Sequence, residues 1–316
     1  MSSGSIQRWC DPRVILLATN LHDPPDLMRH AVAEARRSGA RLLLVHVIPS
    51  LAPQEDAAGS PPRVFLFPSK DCAANALEQL ALQLQWQGVL CEAVVLRGRP
   101  AEQICALVPL RKVDRVFVAS RGRAAGASAG PCVAEELVSA LAIPVCVVSR
   151  QADPAGMSGA RASRVLLALS LRSMRREYVD FAFGVARARG ARLTLLHVLD
   201  GSSIRERHRA SAHDRAMLRL AALAATCDAR PRGTDLVVRD GDPAAQIVEQ
   251  AGCPFQDLIV LGSSSLRSSS AMLGGNILRR VIAEARCPVI TLKPPIAEFR
   301  AEPDPEWPIL RTGSFD

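Results

Sequence analysis

Aromatic side chains are scarce in this sequence, at 4% of residues. Few platforms therefore exist on which the bases of single-stranded nucleic acid could stack. No run of about 18 apolar residues occurs, so no membrane-spanning helix and no membrane partner are expected. The first residues, Met1 to Cys10, lack the apolar stretch of a secretory signal, and a cytoplasmic location is the expectation. None of the nine cysteines stands in a C-x-x-C pair, which argues against zinc and against a disulfide framework. Most lie inside apolar runs and read as small, reduced core residues.

What is present points to ordinary folded domains. The 316 residues are 48% apolar and 22% charged, enough for two domains that each bury a core. The net charge of +8 comes mostly from arginines scattered along helical segments, such as Arg172, Arg175, Arg176, Arg187 and Arg189. That pattern reads as a solvated helix surface, without a specific nucleic-acid partner.

The sequence repeats itself about 150 residues later. Arg13-Val14-Ile15-Leu16-Leu17-Ala18-Thr19 matches Arg164-Val165-Leu166-Leu167-Ala168-Leu169-Ser170. Leu44-Val45-His46-Val47 matches Leu195-Leu196-His197-Val198. Gly98-Arg99-Pro100-Ala101 matches Gly241-Asp242-Pro243-Ala244, and Pro144-Val145 matches Pro288-Val289. Short apolar runs rich in Val, Ile and Leu are buried strands. Helical spacings separate them, as in Leu27, Ala31 and Ala35 or in Tyr178, Ala182 and Val185. Strand and helix in alternation predict parallel βαβ units.

The predicted architecture is α/β: two tandem doubly wound, Rossmann-like domains, each a five-stranded parallel sheet flanked by helices. Their bounds are 12–149 and 163–293, followed by a Pro-rich tail at 294–316. The linker at 151–160 is small and breaker-rich, and copy one carries a proline-rich insertion at 49–68. Two separate sheets are expected, and one continuous sheet would overturn the tandem reading. His22 and Asp23 read as the turn and N-cap before Pro24 and Pro25.

With these motifs in order twice over, the chain resembles the universal stress protein family. The resemblance implies a pseudo-dimer within the chain, paired through the fifth strands at Val145–Ser149 and Val289–Lys293. It also implies an ATP site of the form G-x-x-G, nine residues, then G-S/T. Glycines there let backbone N–H groups approach phosphates at a helix N-terminus. Carried onto copy two, the site would be Ser170, Val198, Leu261, Gly262, Ser265, Gly275, Asn276 and Ile277. Three departures weaken it: Ser265 replaces the middle glycine, Asn276 the hydroxyl residue, and Ser170 the aspartate that would read adenine. Copy one departs further, with Ala119 for the first glycine, Pro131 for a later one and Asn20 for the aspartate. Pro131 has no backbone donor, so copy one is not expected to bind ATP.

The expected function is a non-catalytic stress-response or regulatory module with a vestigial nucleotide cleft. The alternative is an ATP-binding switch that uses copy two, with slow hydrolysis. A homodimer or a regulatory protein partner are the associations such a module would make. No acid/base pair and no metal-ligand set supports catalysis: His208 and His213 are five apart and do not share a helix face. Gly262-Ser263-Ser264 lacks the final glycine of a nucleophile elbow, and Ser268–Ser270 reads as a loop.

Overall fold

The computed structural model describes residues 3–49, 70–120, 132–149, 163–171, 175–199, 209–227, 231–252, 255–262 and 274–293. The insertion beyond Pro49, the linker and the tail lie outside them. The first half runs α1 (Ser3–Cys10), β1 (Val14–Ala18), α2 (Pro25–Ser38), β2 (Arg41–Ile48), α3 (Lys70–Trp86), β3 (Cys91–Arg97), α4 (Pro100–Leu110), β4 (Arg115–Ala119), α5 (Val133–Ala140) and β5 (Val145–Val148). The second half runs β6 (Arg164–Ala168), α6 (Arg176–Ala188), β7 (Arg192–Leu199), α7 (Arg209–Ala225), β8 (Gly233–Asp240), α8 (Pro243–Gly252), β9 (Leu258–Gly262), α9 (Gly274–Glu284) and β10 (Val289–Leu292).

The local chemistry repeats with the sequence. Helices α2 and α6 end on Gly39 and Gly190, both left-handed at φ +64° and +58°. A side chain is strained in that conformation, and glycine is not. Helices α4 and α8 open on Pro100 and Pro243, whose fixed φ suits the first helical position. Asp114 accepts the Arg13 and Val14 amides at 2.9 and 3.1 Å, and Asp257 accepts the Arg164 amide at 2.7 Å. His46 Nδ1 lies 2.9 Å from the Thr19 carbonyl, and His197 Nδ1 lies 3.1 Å from that of Leu169.

These pairs correct the repeat alignment. With the strand registers, Val14 opposite Arg41 and Arg164 opposite Arg192, the histidine contacts set Val14 against Arg164 and Thr19 against Leu169, one residue from the Arg13–Arg164 match read in the sequence. The second half carries one extra residue, between β6 and α6. Asn20 and Ser170 are therefore true counterparts.

Each half keeps five parallel strands, but the expectation of separate sheets is overturned. All ten described strands form one sheet, ordered β3-β2-β1-β4-β5-β10-β9-β6-β7-β8. The join is the fifth-strand contact itself. Strands β5 and β10 pair antiparallel, with Val147 opposite Val289, Cys146 opposite Ile290 and Val145 opposite Thr291. Edge-to-edge pairing satisfies backbone groups that two separate edges would expose. Continuity thus results from the pairing of the copies and is no argument against duplication. Ser149 Oγ donates across the seam to the Ala285 carbonyl at 2.6 Å, and Arg279 pairs with Glu135 at 2.8 Å.

Helices α2, α3, α6 and α7 cover one face and α4, α5, α8 and α9 the other, so each apolar layer runs through both halves. Burying a side chain such as Leu137 or Val281 contributes about 1.5–3 kcal/mol, and both are fully covered.

Helix α1 was not foreseen. Ile6, Trp9 and Cys10 share one face and pack into the first layer. The helix crosses to the second half, where Cys10 Sγ approaches the Phe181 carbonyl at 3.5 Å. Its last carbonyls are capped by arginines: Arg115 donates to Trp9, and Arg37 donates to Cys10 at 3.4 Å. Both arginines also reach buried Glu34, and so does Arg189 from the second half, at 2.6 Å. Burial alone would raise the Glu34 carboxyl, but Arg189, Arg115 and Arg37 together hold it far below the usual carboxylate range. The second half has Val185 and Leu258 at the positions of Glu34 and Arg115.

Candidate functional site

The cleft implied by the sequence lies at the carboxyl ends of the strands, where the strand order changes direction. Strands β6 and β9 are neighbours there, with Ala168 opposite Leu261. Ser170 follows β6 and is exposed, Gly262 ends β9, and Val198 lies half-buried near the end of β7. Leu261 points into the α4, α5, α8 and α9 layer, and Ile277 packs against the same layer. Gly275 and Asn276 stand in the first turn of α9, where backbone N–H groups have no partner within the helix. Ser265 lies outside the described residues, as do Ser264 and Ser268–Ser270.

Gly262 has a packing role that the sequence reading missed. A Cβ built on it would overlap the ring of Tyr178, with Cζ at 2.8 Å and Cδ2 at 2.9 Å. Tyr178 is the third residue of α6 and is buried, its hydroxyl without a hydrogen-bond partner among the described residues. The matching pair in the first half is Leu27 and Ala119, a smaller side chain facing a larger one. Volume is traded between helix and strand, as close packing requires.

In the first half the polar side chains after β1 are engaged in their own turn. The Asn20 amide donates to Asp23 Oδ2 at 2.8 Å, and Asn20 Oδ1 accepts the His22 amide at 2.8 Å. Asp23 serves this turn and is not the N-cap. Pro24 holds that position, and no side chain among the described residues caps the helix. Gly122 and Pro131 lie outside the described residues. His46 and His197 are buried and hold the ends of β1 and β6. Beside this turn, between α2 and α3, lies a cavity of about 390 Å³ that sequence reasoning did not anticipate.

The universal stress protein family model matches residues 12–149 and 162–293. This chain belongs to the universal stress protein family. A universal stress protein of Methanocaldococcus jannaschii is 41% identical over 59 residues, which are 19% of this chain and 35% of that protein. The match thus spans about a third of the curated relative's length. A universal stress protein structure from Archaeoglobus fulgidus has a TM-score of 0.64 at 18% identity, over 89% of this chain and 96% of its own. A functionally unknown protein from Pseudomonas aeruginosa has a TM-score of 0.61 at 15% identity, over 91% and 95%. Both share the fold across both halves of this universal stress protein. Among the described residues no helix is long and apolar enough to cross a membrane.

Proposed function

We propose that this universal stress protein is a non-catalytic stress-response or regulatory module whose second-half nucleotide cleft is vestigial. The observation that carries this reading is the contact between Gly262 and Tyr178. The first glycine of the motif is accounted for by packing, so its retention is no evidence of phosphate binding. Ser170 stands where the family would read adenine with a carboxylate, and a hydroxyl lacks the charge to hold the exocyclic amine as firmly. Ser265 adds a Cβ where the motif has glycine. A cytoplasmic location, a regulatory protein partner and a homodimer belong to the same reading.

The second reading is an ATP-dependent switch with slow hydrolysis. It is supported by Gly275 and Asn276 in the first turn of α9, since a helix N-terminus favours phosphate. Titration with a fluorescent ATP analogue separates the two. The module predicts no saturable signal in the micromolar range. A micromolar Kd that disappears in Gly275→Trp would establish the switch.

A further inference from the structure

The cavity between α2 and α3 belongs to neither reading of the nucleotide cleft. Its accessible apolar wall includes Leu21, Met28 and Leu80, and its polar positions include Asp23, Gln79 and Gln83. The first-half counterparts of the nucleotide positions, Asn20, Val47 and Ala119, do not line it. At about 390 Å³ it falls within the range of small-ligand sites, which are mostly apolar with a few convergent polar groups.

Two observations set the chemistry of its occupant. The chain carries a net charge of +8, yet no lysine, arginine or histidine is among the described residues lining the cavity. The charged group there is the Asp23 carboxylate, whose Oδ2 accepts the Asn20 amide. The two carboxamides add both donors and acceptors. In the second half an arginine stands at the matching place. Arg219, the counterpart of Leu80, reaches across to donate to the Leu171 carbonyl at 3.3 Å, and Leu171 is the counterpart of cavity-lining Leu21.

We propose that this cavity is a binding site for a small hydrophobic amine, with the apolar body against Leu21, Met28 and Leu80 and the ammonium group toward Asp23. A cation placed at the edge of an apolar pocket gains from a nearby carboxylate without full desolvation. The site is independent of ATP and sits on the opposite half from the vestigial cleft.

Calorimetric titration of the full-length protein with phenethylamine, in parallel with 3-phenylpropionate, tests the assignment. A ligand with about nine heavy atoms is expected to saturate with a Kd near the millimolar level. Asp23→Asn, at a turn where the carboxamide still accepts the Asn20 amide, should weaken the amine at least about tenfold. Leu80→Arg, which reproduces the second half, should abolish binding while circular dichroism shows a folded chain. Should that variant fail to fold, Asp23→Asn carries the test alone. The proposal is overturned if phenethylamine gives no saturable heat. It is overturned equally if folded variants bind as the parent does, or if the phenylpropionate binds as tightly as the amine.

Discussion

The ring of Tyr178 occupies the space that a side chain at Gly262 would need, and the first half makes the opposite choice with Leu27 and Ala119. Gly262→Ala should therefore destabilise the protein by about 1–3 kcal/mol through overpacking. Tyr178→Leu in the same chain should recover most of that loss, because it restores the first-half pair. A double-mutant cycle by urea unfolding measures the coupling, which should exceed about 0.5 kcal/mol.

Glu34 faces three arginines at the junction of α1, α2 and α6. Glu34→Val leaves buried guanidinium groups without a countercharge and should cost about 3–5 kcal/mol. The triple change Glu34→Val, Arg115→Leu, Arg189→Ser copies the apolar junction of the second half. It should recover most of the loss, since a buried ion cluster and a packed apolar one are often of similar stability. Thermal unfolding of the single and triple variants decides the matter.

His30 introduces a pH dependence. Burial, aided by Arg189, lowers its pKa from 6.5 to about 4, and its Nε2 has no hydrogen-bond partner among the described residues. The unfolded chain takes up the proton near pH 6.5, while the folded chain resists it until about pH 4. Stability should thus fall as pH drops through that window, by on the order of 3 kcal/mol. Glu34, whose carboxyl is depressed, adds a further loss once unfolded chains protonate below about pH 4.5. His30→Phe, which copies Phe181, should flatten the curve between pH 6.5 and 4 and leave the Glu34 limb. Tm measured across that range checks both slopes.

Thiol reactivity should sort by burial. Cys10 and Cys91 are each pushed up to about 11 and Cys146 to about 12, all first by burial, and Cys287 is raised further. Thiolate is the reactive form, so these four should label slowly at neutral pH. Cys72, exposed on α3, should react first among the described cysteines. Timed alkylation followed by peptide mass analysis gives the order.

The strands and most helices were legible because each buries a continuous or one-sided apolar run, as in Leu42–Val45 or in Leu27, Ala31 and Ala35. The pairing of the fifth strands was also legible, through family resemblance, although its consequence, a single sheet, was not. Helix α1 carried the i, i+3, i+4 pattern of Ile6, Trp9 and Cys10, but its partner α6 lies far along the chain. The Glu34 junction gave no signal, because one glutamate on a helix face looks solvated until Arg115 and Arg189 are placed beside it. The role of Gly262 was hidden for the same reason: glycine in a phosphate motif and glycine under a tyrosine ring are the same letter. The one-residue shift at β1 arose because Arg13 and Arg164 invite a match that the strand register does not make.

Amide hydrogen exchange across β5 and β10 tests most directly that the two halves fold on one plan and meet at this seam. The amides of Val145–Val148 and Val289–Leu292 that point across the junction should be protected like those of interior strands β1 and β6. Exchange as fast as at the outer edges of β3 and β8 would contradict the account, because it would mean that the two sheets do not join.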